Sequence, residues 1–266
     1  GIYDFLFFST LTSWVLFVLL IIFIGVPSVS IFLLIPIVTG VILIYSYGFY
    51  GVALGQSDTS SLVILFELIP VLTVILGYLF LGQTLSVNEI IGLIIVLGGA
   101  TIVSYEGGRG IFIKGLGLIL VAILMWSVMI LLIDFGLTKM SFWEYFMLDA
   151  LGSALGGLTF FIIPHMRRQV VDGIIGASAA KYVWFTGNNI LDIVGQMSTK
   201  FALVTAPSAG LVTIVMQVQS FYAIIIGTLL TIFLPNIIRE DISLKVLVKK
   251  FLGALVMFYG IYILLA

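Results

Sequence analysis

Two acids and a run of amides stand where the surrounding sequence is almost wholly apolar. Glu67 lies in LVILFELIPVLTVILGYLFLG, three residues before Pro70. A carboxyl group at membrane depth is costly and marks a functional site by default. Pro70 has no N–H, so the Phe66 carbonyl loses its usual helical partner within a turn of that carboxyl. The chemistry on offer is proton uptake and release, or pairing with a cation. The plain alternative is a protonated, hydrogen-bonded structural glutamate. Farther on, Asn188, Asn189, Asp192, Gln196, Thr199 and Lys200 fall within an arc of roughly 120° on one helix. In a bilayer such a stripe must face protein or a water-filled cavity. It reads as a cavity wall that hydrogen-bonds a polar solute, or as amide glue between helices. Lys200 stands either in that wall or at headgroup level, snorkelling.

Gln217 shares a helix face with Thr213 and Ser220, giving a further polar stripe. Asp149 lies about eight residues into its helix with no obvious local partner and reads either as a functional acid or as an interfacial acid of a tilted helix. Among the aromatic residues, Tyr45, Tyr47, Tyr50, Trp126, Trp143 and Trp184 invite a substrate cage, against core packing or an interfacial belt. Trp126, mid-helix beside Ser127, is the best cage candidate, and Tyr47 joins the candidate binding residues. Gly152 and Gly156 form a GxxxG that signals close helix contact. Gly92, Gly98, Gly99, Gly253 and Gly260 read likewise, with a face for a second copy as one use.

The elements that must position these residues are membrane helices. The chain has 266 residues, 62% of them hydrophobic and 9% charged. A bilayer core takes about 20 apolar residues per helix, and such runs recur along the whole length. They do not alternate in polarity, which excludes a β-barrel. Nine spans are expected, near 5–25, 29–54, 59–82, 87–105, 115–137, 142–164, 178–204, 208–234 and 248–266, with polar connections at 106–114, 165–177 and 235–247. A net charge of −1 leaves no basic footprint for nucleic acid. With no cysteine and one histidine, His165, thiol chemistry and a histidine-based metal site are not expected. No cofactor is expected either.

The chain also repeats itself. IYDFLFFSTL resembles FWEYFMLDAL at 142–151, and TSSLVILFELIPVLTVILG resembles AGLVTIVMQVQSFYAIIIG, pairing Glu67 with Gln217 and Gly77 with Gly227. Gly92 and Gly99 match Gly253 and Gly260. The expected organisation is two copies of one unit, 1–105 and 112–266, with four and five helices. The missing counterpart of helix 115–137 would lie ahead of Gly1. An odd helix number per copy inserts the copies upside down relative to each other, a transporter signature with the solute site near the midplane.

The run from Thr59 to Tyr105 resembles the EamA unit of the drug/metabolite transporter superfamily. The resemblance rests on Ser60–Ser61, Glu67 to Pro70, Gly82–Gln83, and Gly92 with Gly98–Gly99. Gln83 departs from the usual glutamate, and Ser220 stands where the second copy would carry Pro70. The resemblance implies an all-α polytopic membrane protein of two inverted five-helix repeats, ten helices in all, nine of them visible here. It implies a central cavity and the movement of amino acids, metabolites or drugs. It also implies both termini in the cytoplasm. The excess of Arg109, Arg167, Arg168 and other bases on one side points the other way. The expected function is alternating-access transport, in the export direction, of an amino acid, amine or neutral metabolite. A proton coupled through Glu67 or Asp192 fits this reading. The expected setting is the plasma membrane, as monomer or homodimer. The alternative class is a membrane enzyme or lipid-processing protein with its site at one membrane face.

Overall fold

The computed structural model describes residues 1–81, 86–104, 113–205, 216, 218–236 and 240–265; among them every regular element is a helix. They are α1 (Ile2–Ile24), α2 (Leu34–Leu54), α3 (Thr59–Ile64), α4 (Leu68–Leu81), α5 (Val87–Ser104) and α6 (Leu116–Leu137). Then follow α7 (Phe142–Leu158), α8 (Pro164–Ile175), α9 (Ala179–Thr205), α10 (Gln219–Phe233) and α11 (Leu244–Leu265). Ile2–Ile24, Ile31–Leu54, Leu116–Leu137 and Leu244–Ile263 are each long and apolar enough to cross a bilayer, and Phe142–Phe161 and Pro164–Ile175 reach that threshold only when taken together, across a bend of 102°. Thr59–Thr73, Ile90–Val103 and Gln219–Phe233 are shorter apolar helices. The chain is an all-α polytopic membrane protein.

Local sequence explains the breaks. Pro70 cannot continue the α-helical ladder, and the helix tightens to a 3₁₀ turn over Leu65–Glu67 in which the Leu68 N–H reaches the Leu65 carbonyl. Ser141 and Glu144 form a reciprocal capping box at the start of α7; Glu144 has a structural duty there. The connection expected at 165–177 is instead mostly helix α8, bent 102° from α7. Pro164 suits the first helical position, where no N–H is needed, and Val170 is fully buried.

The described chain divides into two compact units. The first comprises 1–48 and 128–206, the second 49–127 and 207–266. Neither is a contiguous half of the sequence. The stretches that resemble each other in sequence lie in the same unit: α1 and α7 in the first, α5 and α11 in the second.

In the first unit α1 packs along α7, and α8 packs on α1. Leu6, Ile44, Phe160 and Val170 form a buried cluster there. Gly152 meets α2 backbone directly: a Cβ there would stand 2.1 Å from the Ile37 carbonyl oxygen. Gly40 answers from α2, where a Cβ would stand 2.1 Å from the Asp149 carbonyl oxygen. The small residues thus let two helix backbones touch. In the second unit α5 and α11 pack most extensively. Gly99 lies against Met257, Gly253 against Val103 and Gly260 against Val96. These glycines serve contacts within the chain, while Gly98 faces open space.

Candidate functional site

α9 carries the polar stripe. Asn189 and Lys200 are buried and Asp192 and Gln196 half-buried, whereas Val183, Trp184, Leu191 and Val194 point outward and are exposed. The most buried positions of the helix are thus polar, while its large apolar side chains face outward. Asn188 is exposed, because it lies at the edge of the arc, about 100° from Asn189. Trp184 is likewise outward, in the manner of a belt residue.

The inward face of α9 enters a continuous polar array in the first unit. The Tyr47 hydroxyl donates to Asp192 Oδ1 (2.7 Å) and accepts from Gln196 Nε2 (3.0 Å). Lys200 Nζ donates to Gln196 Oε1 (3.0 Å) and pairs with Asp149 Oδ2 (3.1 Å). It also lies 5.6 Å from the centroid of the Phe146 ring, a cation–π contact. Thr39 Oγ1 donates to the other oxygen of Asp149 (2.7 Å) and stands 2.9 Å from the Tyr145 hydroxyl. A threonine has one proton to give, so Tyr145 is the donor to Thr39. Asn189 lies one turn away, accepting from Ser9 Oγ at 2.6 Å. Its buried amide nitrogen has no partner among the described residues.

For Lys200 the structure decides between the two sequence alternatives: it is 2% exposed and paired, not snorkelling. Asp149, for which an interfacial place was one reading, is 4% exposed and is the carboxylate of that pair. A buried charge needs a partner, but the two lie on different helices, and the sequence offers no spacing that brings them together. Thr39, Tyr145 and Ser9 carried no signal of their own. With Lys200 and Asp149 compensating each other, Asp192 is the acid of the array without an ion-pair partner among the described residues. A half-buried carboxylate so placed can receive a cation, an amine or a proton, with Tyr47 and Gln196 holding its orientation.

The second unit holds Glu67 and Trp126. Glu67 is 0% exposed, and neither carboxyl oxygen has a hydrogen bond among the described residues. The buried Ser220 hydroxyl lies close enough to interact with that carboxyl without forming a well-directed bond. Trp126 packs edge-on against Phe66 at 4.7 Å between centroids and tilts toward Tyr50 at 6.0 Å. That is a packed aromatic cluster beside Glu67. Gln217, Thr213 and Gln83 lie outside the described residues.

The same unit contains an ion cluster built from bases and acids far apart in the sequence. Lys250, 1% exposed, bonds Asp58 (2.8 Å) and Glu240 (3.0 Å), and Glu240 accepts from Ser60 N–H and Oγ. All its members are paired, and it ties α11 to the start of α3. A groove of about 450 Å³ between α10 and α11 is lined by Ile224, Leu229, Val248 and Phe251 among other residues. Its apolar walls suit acyl chains and offer nothing to a polar solute.

Comparison with known proteins adds the following. The sequence profile of the EamA-like transporter family matches residues 2–105. No curated protein matches the chain. A solved structure titled "Crystal structure of protein" is 15% identical, covering 96% of this chain and 88% of its own, with a TM-score of 0.49.

Proposed function

We propose, with the match of the EamA-like transporter family profile over residues 2–105 as support, that this chain is a secondary transporter of a small cationic or zwitterionic solute, an amine or amino acid, with neutral polar metabolites as weaker substrates. The observation that carries this reading is Asp192. It is a half-buried carboxylate held by Tyr47 and Gln196, and the nearby Lys200 is ion-paired to Asp149 rather than to it. Such a group is costly unless a ligand or proton uses it. Lys200 is committed to Asp149, so a polyanionic solute has no free buried base there. The solute moves by alternating access, in the export direction, and Glu67 couples a proton to the cycle. The buried Glu67 carboxyl, unbonded among the described residues, supports that role.

The test is flux into liposomes containing the purified chain, with a panel of labelled amines, amino acids and neutral metabolites. Saturable uptake of an amine or amino acid is expected, and Asp192→Asn should reduce it at least tenfold. Glu67→Gln should leave exchange of solute across the membrane intact but abolish the response to an imposed pH gradient. No saturable movement of any solute under any gradient would overturn the transporter reading. An unchanged gradient response in both variants would remove the proton.

A further inference from the structure

We propose that α8 is an interfacial helix that binds the phosphates of anionic phospholipid through Arg167 and Arg168. The proposal begins from geometry. α7 carries Asp149 and Tyr145 through the membrane, and α8 turns 102° from it. A helix at right angles to a span lies close to the membrane plane, allowing for ordinary tilt. It cannot swing away, because Val170 is fully buried with Leu6, Ile44 and Phe160. Gly173 also sits so close to α1 that a Cβ would stand 2.2 Å from the Asp4 Cβ.

The outward side of α8 has two chemistries. Val171, Ile174 and Ile175 are exposed, Ile175 by 80%. Arg167 and Arg168 are exposed beside them. At 100° per residue, Arg167, Val171, Ile174 and Ile175 span an arc of about 100°, with Arg168 just beyond it. His165 and Asp172 lie on the flank toward water. Water would leave the isoleucines solvated, and hydrocarbon would strip the guanidinium groups. The headgroup boundary accommodates both, with apolar side chains among the acyl chains and arginines at the phosphates.

Charge decides which lipid. Basic residues near a helix start oppose its dipole, and the first turn of α8 holds no acid to offset them. Two arginines at that pole are therefore unfavourable for the helix itself and favourable for an anion. Guanidinium forks bind phosphate oxygens in pairs. A net anionic lipid is preferred over a zwitterionic one because its phosphate carries no compensating choline or amine.

The experiment uses the full chain in nanodiscs. The chain has no cysteine, so Ile175→Cys and Asp172→Cys each accept a single spin label. The label at 175 should relax preferentially with oxygen dissolved in the bilayer, and the label at 172 with a water-soluble nickel chelate. Equal exposure of both labels to the chelate would overturn the interfacial placement. Affinity is then read as the thermal shift on adding phosphatidylglycerol to phosphatidylcholine discs. Arg167→Gln with Arg168→Gln should weaken the phosphatidylglycerol preference roughly tenfold or more, at around 1 kcal/mol per basic residue near the surface. Its melting temperature in pure phosphatidylcholine should not fall. An undiminished preference in that variant would overturn the assignment, as would an equal shift from inorganic phosphate alone.

Discussion

Lys200 and Asp149 form a pair whose worth is best seen by breaking it. Removing one partner of a buried ion pair leaves an uncompensated charge and costs about 3–5 kcal/mol. Lys200→Met should therefore lower the melting temperature sharply, and Asp149→Asn in the same chain should restore most of the loss, since two neutral groups replace two paired ones. Thermal melts of the single and double variants in one detergent check this. Equal destabilisation by both would show that the pair is not coupled. Tyr47→Phe is a finer cut: it removes the hydroxyl that gives a proton to Asp192 and takes one from Gln196. Leaving those groups short of a partner costs about 1–3 kcal/mol, and flux should fall through weaker solute binding, read as a raised KM with kcat less affected. At this scale the sequence is readable where partners share a helix. Asp192 and Gln196 are four residues apart, so their common face follows from helical spacing alone. Asp149 and Lys200 belong to different helices, and Thr39 reaches Asp149 and Tyr145 only because α2 packs on α7. Nothing in residue type encodes that meeting.

Helix contacts rest on glycine, and the second group of predictions belongs there. Gly40 and Gly152 are each where a methyl group would strike backbone at 2.1 Å. Backbone has little room to give, so Gly40→Ala and Gly152→Ala should each cost at least the ~1–3 kcal/mol of an overpacked core. They should also part Thr39 from Asp149. Gly98→Ala is the control: its Cβ would meet nothing within 4 Å, and replacing a mid-helix glycine is favourable by roughly 0.5–1 kcal/mol. Melting temperatures should fall for the first two and hold or rise for the third; a loss at Gly98 equal to that at Gly40 would sink the packing argument. GxxxG spacing in the sequence marked Gly152 as a contact point, but it could not say that the partner was α2. α8 was harder to foresee. PHMRRQVVDGII is too polar for a span and begins with proline, so composition makes it a connection. Its helical signal is Met166, Val170 and Gly173 at intervals of four and three. That signal acquires meaning only when Val170 is seen in the cluster with Leu6 and Phe160.

The repeat expected from the sequence and the compact units divide this chain along different lines. The expected copies run by halves, 1–105 and 112–266, whereas each compact unit takes segments from both. The first unit needs Thr39 and Tyr47 from one half to complete the hydrogen bonds of Asp149 and Asp192 from the other. The second needs Asp58 and Ser60 to satisfy Lys250 and Glu240, and Gly99 to receive Met257. Continuity within helices adds to this, since the boundaries after Gly48 and Ser127 both fall inside α2 and α6. Domains that could fold alone are bounded by connections that few contacts cross, and the connection at 106–114 is not such a boundary. Cutting the chain there should therefore yield two fragments that cannot fold separately. Each would carry buried polar groups stripped of their partners and a glycine face with no helix to meet. Expressed alone, neither fragment should show a cooperative melt; expressed together, they should copurify and recover the melting transition and the solute flux of the intact chain. A cooperative melt from residues 1–105 alone, at the temperature of the whole protein, would mean that the repeat is itself the folding unit. The cross-half contacts would then be additions to a structure already complete without them.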